Sequence, residues 1–262
     1  THTFAHDNND TGAFRVENQH GSFVDSVTKL NAHRTASSSY TFLTCLSGNA
    51  SDNEFILRGD GNAYADGSWN PSGADYAEYF EWADDNSSNQ DRTGYTVVLD
   101  NEKIRFGTGN DLEIYHDDAA ANIIGAVSAH PSVIGDSDIN QWKGKYLKDE
   151  FGAYQTEEYT ETWWIDENNI KQSYNTDKIP DDVTVPDDAT VENQDAKGNT
   201  LVRRKLNPDY DADQDYVSRK DRKEWATIGM MGKIRIRTGQ PTGDRWIKMR
   251  DISDTVEEWL VR

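Results

Sequence analysis

Cysteine is almost missing from this chain. With Cys45 as its single copy, neither an internal disulfide framework nor a multi-cysteine metal site can be built. Its setting, Tyr40-Thr41-Phe42-Leu43-Thr44-Cys45-Leu46, predicts a small buried apolar residue and not a nucleophile. Long apolar runs are missing too. Nothing approaches the ~20 residues of a membrane span, and no basic-then-apolar leader opens the sequence. Positive charge is scarce: 27 Lys and Arg stand against 47 Asp and Glu, a formal charge of -20. That field repels nucleic acid and anionic membrane alike, so neither is expected as a partner. The initiator Met is absent as well, and Thr1 reads as the start of a piece of something longer. Hydrophobic residues make up only 35% while Gly and Asn/Asp-rich turns recur, which suits a mainly β, turn-rich protein of one large or two smaller domains better than a helical bundle.

What is present begins with short strand-like runs over residues 1 to about 70: Ala13-Phe14-Arg15-Val16, Gly21-Ser22-Phe23-Val24, Tyr40 to Leu46 and Glu54-Phe55-Ile56-Leu57. Evenly spaced short strands suggest a β-stack stem, which one narrow chain can hardly bury unaided, so a homotrimer is expected. Arg58-Gly59-Asp60 invites an adhesion reading, but the tripeptide is common by chance and Asp60-Gly61 is a good turn. The sequons at Asn9, Asn49 and Asn86 carry no information without secretion.

The sequence turns on residues 71–82, Pro71-Ser72-Gly73-Ala74-Asp75-Tyr76-Ala77-Glu78-Tyr79-Phe80-Glu81-Trp82, where three carboxylates sit among four aromatics after a Pro/Ser/Gly break. A poorly solvated carboxylate has a raised pKa and can hold a proton near neutrality. Asp75 and Glu78 can thus supply an acid and a base. Aromatic, β-prone composition favours a strand, on which residues three apart face opposite ways. A dyad then needs a kinked backbone or a carboxylate from another chain. The plain alternative is an amphipathic edge strand with its acids in water.

Ala74 to Trp82 resembles the opening signature of the intramolecular-chaperone autocleavage domain at the C-terminus of phage tailspikes and neck appendage proteins, a self-cleaving glutamic-type peptidase. The similarity continues in order through Gly94-Tyr95-Thr96-Val97-Val98-Leu99, Ile123-Ile124-Gly125-Ala126-Val127-Ser128, Pro131-Ser132-Val133-Ile134-Gly135-Asp136-Ser137, Trp142-Lys143-Gly144-Lys145-Tyr146, Asn207-Pro208-Asp209-Tyr210-Asp211, Tyr216-Val217-Ser218-Arg219 and Arg222-Lys223-Glu224-Trp225. The segment from Phe55 to Gly67 also resembles what often precedes that domain in phage fibres. The resemblance implies a trimeric β-stem over residues 1–74, then a β-rich chaperone domain with few helices over 75–262, and a cut at Ala74-Asp75 with Asp75 and Glu78 as the reacting carboxylates. It further implies no cofactor and no metal, with the chain itself and the upstream tailspike as partners. The place implied is a virion, after assembly in the host cytoplasm. The hallmark block from Pro131, with His130 before it, puts His130, Asp136 and Ser137 on a constrained loop that can support the cut or be a structural corner. Read as a Ser/His/Asp triad, those three lack a strand-to-helix nucleophile elbow.

Other features have ordinary readings. The stretch from Gly107 to Ile114 looks like one calcium nonapeptide, but a single copy cannot make a roll. Asp209, Asp211, Asp213 and Asp215 alternate like a calcium loop, yet Gln214 and Lys220 stand where the required Gly and Glu belong. The acidic region 149–195, containing Trp163-Trp164-Ile165, predicts a long hairpin or insertion running into a mobile loop. Gly232 to Arg237 alternates cleanly as a strand, with Trp246-Ile247-Lys248-Met249 expected as its partner. Ile252, Val256, Trp259 and Leu260 have helical spacing behind an Asp254/Glu257 cap, against a rival strand from Thr255 to Val261. Two other functions compete with self-cleavage: a trimerisation module that does not cut, and a glycan-binding tailspike domain using paired carboxylates with Trp163 and Trp164.

Overall fold

In a computed structural model, which describes residues 16–32, 34–107, 122–137 and 144–262, the architecture is mainly β. Helical elements are short and include two three-residue 3-10 turns, Thr176–Lys178 and Arg219–Asp221. Asn9, the run at 13–15, the glycine-rich stretch beyond Gly107 and Trp142-Lys143 lie outside the described residues.

Three strands open the chain: β1 (Thr41–Ser47), β2 (Asp52–Arg58) and β3 (Ala63–Ala65), antiparallel in that order. The β1–β2 turn needs left-handed backbone, which Gly48, Asn49 and Ala50 supply with φ of 55, 58 and 64°. Cys45 sits on β1 and is exposed, contrary to its apolar setting in sequence. The reason is its place on an edge strand whose side chains stand almost entirely in solvent. Arg58 and Asp60 pair with each other across Gly59, where a Cβ would fall 2.3 Å from the Tyr40 ring. The guanidinium holds the Asp60 carboxyl down at about 2.

The larger sheet takes β4 (Asp75–Glu81), β5 (Thr96–Asp100), β6 (Lys103–Phe106), β7 (Ile123–Val127) and β8 (Val133–Gly135). The acidic segment then contributes β9 (Thr156–Glu158), β10 (Glu161–Ile165), β11 (Lys171–Asn175), β12 (Thr190–Glu192) and β13 (Val202–Arg204), paired as β11-β10-β12 and β13-β9. β14 (Trp225–Arg237), β15 (Ile247–Ser253) and β16 (Val256–Val261) complete the eight-stranded sheet, ordered β15-β16-β14-β7-β5-β6 with β4 on β14 and β8 on β4.

Two compact units result. One gathers the described parts of residues 1–68 with 149–205, the other 69–148 with 206–262. Compactness thus divides the chain at other points than residue 74, and the acidic segment is an insertion that packs with the N-terminal strands. The contacts explain this pairing: Arg34 meets Asp195 at 3.1 Å, Thr35 Oγ1 donates to Tyr159 Oη at 3.0 Å, and Arg204 donates to the Asp60 carbonyl at 3.3 Å. Within the insertion, Pro180 and Pro186 each open a hydrogen-bonded turn. Trp164 stacks on Tyr174, and the Lys171 ammonium lies 4.3 Å from the Trp163 ring centre.

In the second unit, thirteen-residue β14 is the hub. It pairs with β4 from Trp225 to Gly232, with β16 from Gly232 to Arg237, and with β7 at Ile228 and Gly229. Two apolar clusters flank it: Trp82, Val97, Ile104, Val127 and Ile228 form one, and Ala126, Ile234, Ile236 and Val261 the other. Two sequence expectations fail at the C-terminus. The alternating strand at Gly232–Arg237 pairs with β16 and not with Ile247–Met249, which pairs with β16 from the other side. Of the two readings after Asp254 the helix fails and the rival strand holds, over Val256–Val261, because a two-sided position between β14 and β15 satisfies its backbone and buries Glu258 and Val261. Ile228 is wholly buried where β4, β7 and β14 meet. Ile228→Ala should therefore lower unfolding stability by about 2–5 kcal/mol, measured by urea titration.

Candidate active site

A Pro/Ser/Gly break followed by β-prone aromatics makes residues 71–82 a loop that runs into β4, and the structure starts that strand at Asp75. Antiparallel register sets Asp75 opposite Gly232 and Ala77 opposite Gly229 on β14. Both glycines are needed for close approach. A Cβ on Gly229 would lie 2.4 Å from Asp75 Oδ2, and one on Gly232 would lie 2.5 Å from the Ala74 carbonyl oxygen. Gly232 also has φ of +106°, a conformation open to residues without a side chain.

The Asp75 side chain is 4% exposed. Burial pushes its carboxyl above the usual range; hydrogen bonds from Ser128 and from its own N–H, and the charge of His130, oppose that shift without reversing it. Oδ2 has no hydrogen-bond partner, so the charged form is poorly supported there.

The loop after β7 closes on the next peptide, Asp75-Tyr76. Ser132 donates both its N–H and its hydroxyl to the Asp75 carbonyl, each at 2.8 Å. Ser72 Oγ lies 2.8 Å from His130 Nε2, and the Lys233 N–H reaches the Ala74 carbonyl at 3.3 Å. The Ala74-Asp75 bond thus lies on the wall of a cleft of about 990 Å³ whose lining includes Ser72, Asp75, Ser128, His130, Lys233 and Glu258.

Glu78 is positioned separately. Strand alternation turns it away from Asp75, onto the face shared with Tyr76, whose hydroxyl donates to the Glu78 carboxylate. This bond raises the Tyr76 pKa. β8 runs parallel to β4 with Gly135 opposite Glu78, and a Cβ there would lie 2.9 Å from Glu78 Cγ. Of the loop residues read from sequence, His130 is brought to the peptide. Asp136 instead points to Arg219, a 3% exposed side chain that donates to the Asp136 carbonyl, meets its carboxylate at 2.5 Å and packs 4.0 Å from the Trp225 ring centre. Ser137 follows it, half-buried. Ser128, Gly229, Gly232 and Lys233 were not singled out from sequence as site residues. The one local signal was Gly232 at the head of an alternating strand, where side-chain-free backbone marks a close approach.

A family model described as Peptidase_G2, IMC autoproteolytic cleavage domain, matches residues 28–259. The chain belongs to the IMC autoproteolytic cleavage domain family. Among similar proteins, the pre-neck appendage protein of Bacillus phage B103 is 32% identical over 167 residues, which is 63% of this chain and 14% of that protein. The preneck appendage protein of Bacillus phage PZA is 30% identical over 165 residues, with the same shares. The chain therefore spans a small part of the length of these relatives. The crystal structure of pre-mature bacteriophage phi29 gene product 12 superposes with a TM-score of 0.52 at 22% identity, over 80% of this chain and 24% of that one, and shares the fold.

For this autoproteolytic domain the most sterically exposed prediction lies beside the peptide. Gly73 presses on the Pro131-Ser132 backbone, with a Cβ position 2.5 Å from three of its atoms, whereas Gly67 has nothing within 4 Å. Gly73→Ala should cost about 1–3 kcal/mol in urea denaturation, and Gly67→Ala should stay within about 0.5 kcal/mol of wild type.

Proposed function

We propose that the chain cuts itself between Ala74 and Asp75, with Asp75 as the acid and Glu78 as the base, once it has formed a homotrimer. The observation that carries this reading is the buried Asp75 carboxyl, one oxygen of which lacks a partner, on the residue that supplies the nitrogen of a peptide bond lining an open cleft. Water attacks the Ala74 carbonyl carbon and gives a proton to the Glu78 carboxylate. The carbon–nitrogen bond then breaks, and the Asp75 carboxyl donates its proton to the departing nitrogen. The products are a carboxylate at Ala74 and an amine at Asp75. A proton held by one carboxyl and accepted by the other is the split expected of two unlike environments.

Because Glu78 faces away from Asp75 within one chain, the base at each bond comes from a neighbouring chain. Cleavage then waits for assembly. The domain following the cut holds three β-rich upstream segments in register while they pair, a slow and mispairing-prone process for edges of this kind, and the cut makes the result irreversible. On this reading residues 1–74 belong to a stem that stays with the rest of a phage appendage in the virion, and residues 75–262 are the chaperone released in the host cytoplasm. The names of the related pre-neck appendage proteins support that setting. Trp163 and Trp164 favour no glycan reading, since Lys171 and Tyr174 already cover a face of each ring.

Expression of the wild-type chain should give two fragments by intact mass, one ending at Ala74 and one beginning at Asp75. Glu78→Gln should leave the chain whole, since an amide cannot take the proton while its size is kept. Cleavage at the wild-type rate in that variant sinks the assignment.

The pH dependence follows from Asp75. Its raised pKa means that the proton-donating form persists above the ordinary 3.8 and is lost as pH rises through the folded value. The rate should accordingly fall with rising pH on a limb displaced upward from 3.8, and that limb should vanish in Asp75→Asn if any cutting remains. Ultracentrifugation should show trimers, and mixing Glu78→Gln chains with Asp75→Asn chains should restore partial cutting. A site within one chain would leave the mixture uncut, and efficient cutting by a monomer would end the link to assembly.

A further inference from the structure

Attack on the Ala74 carbonyl throws negative charge onto its oxygen, while the proposed acid is assigned to the departing nitrogen and the proposed base to the water. We infer that the backbone N–H of Lys233 is the oxyanion donor of the cut, delivered by the left-handed turn at Gly232, while Ser132 clamps the leaving-group side. The inference rests on the cut at Ala74-Asp75 proposed above and adds groups that the two-carboxylate account does not contain.

Three consecutive residues of the scissile segment are held from outside, each by a different device. Gly73 is wedged against Pro131 and Ser132 with no room for a Cβ. The Ala74 oxygen takes the Lys233 N–H at 3.3 Å. The Asp75 carbonyl takes two donors from Ser132 at 2.8 Å. The contrast in lengths is the informative part. The two bonds to the carbonyl that does not react are short and settled, whereas the bond to the reacting oxygen is long in the resting state. A donor that is slack against the planar carbonyl and tightens as the oxygen gains charge binds the transition state more strongly than the ground state.

Gly232 makes this geometry possible. At φ of +106° it turns the following N–H toward β4, and its missing Cβ would otherwise stand 2.5 Å from the Ala74 oxygen and 3.0 Å from the Asp75 Cα. The next peptide is fixed by Ser132, so the departing nitrogen sits on a residue that does not drift as the bond lengthens. The Lys233 side chain plays no part, since the donor is main chain.

The decisive experiment replaces Lys233 in the full chain by its α-hydroxy acid, which turns the 232–233 amide into an ester and removes only that N–H. Cleavage is followed by intact mass in assembled trimers, alongside the thermal midpoint. The expected result is a rate constant lower by about 10²–10³-fold, with the pH limb of Asp75 unmoved and trimers intact. A rate within about threefold of wild type overturns the donor assignment. If the ester chain fails to assemble, Gly232→Ala decides: its assembled trimers should remain uncut, and cutting at the wild-type rate overturns the proposal. Ser132→Ala should slow the cut about tenfold, with Ser132→Thr restoring it; an unchanged rate removes the clamp. Fragments mapping to a bond other than Ala74-Asp75 would overturn the proposed cleavage reading itself. An unimpaired ester variant cut at Ala74-Asp75 would overturn only the donor.

Discussion

The close approach of β4 to β14 across two glycines is the constraint on which the rest of this unit depends. Ala77 pairs with Gly229 and Asp75 with Gly232, bringing together the two ends of a unit that is interrupted in sequence by the 149–205 insertion. Side chains at either glycine would strike Asp75 or Ala74. The backbone proximity that forms the sheet is therefore the same proximity that buries the carboxyl and reaches the peptide beside it. A site of this kind cannot exist in part: it appears when non-local strands have paired, which is the slow step for sheets of this topology.

That arrangement has a cost, and its location is informative. Asp75 is a buried acid with an oxygen lacking a partner, while the neighbouring carbonyl of the same residue has two donors. Leaving one polar atom unsatisfied beside a carbonyl that has both its donors is a local conflict, and such conflicts gather at functional sites. The apolar clusters around Ile228 and Ile234, on either side of Gly229, provide the stability against which it is tolerated. Arg219 shows the opposite treatment: buried, but bonded to Asp136 and packed on Trp225, it secures the 131–136 loop.

Family membership and fold agree with each other. The family model covers nearly the whole chain, and the superposition on the phi29 protein reflects shared architecture at low identity. The self-cleaving role is a property of the domain; the bond, the carboxylates and the backbone donor are readings of its geometry.

The mainly β character, the strand at Asp75–Glu81 and the divergence of Asp75 from Glu78 were all readable from composition and period, because alternation along a strand is a local property. The acidic segment, read from composition as a long hairpin or insertion running into a mobile loop, carries the five short strands β9–β13, whose pairing its composition did not show. Cys45 and the C-terminal strand were misread for a single reason: apolar neighbours and helical spacing describe what a segment can do, whereas burial and pairing depend on which strand lies alongside. Ile247–Met249 paired with β16 and not with its nearest alternating neighbour on the same grounds. The residues that complete the site, Ser128, Ser132, Gly229, Gly232 and the Lys233 amide, act on Asp75 and Ala74 through contacts between segments far apart in the chain. Sequence by itself determined the class of fold and the stretch of carboxylates among aromatics on which the proposed site is built, since both rest on local side-chain pattern. Tertiary structure alone decided which carboxyl is buried, which loop residue reaches it and where a backbone N–H points, since burial and hydrogen bonding are set by non-local packing.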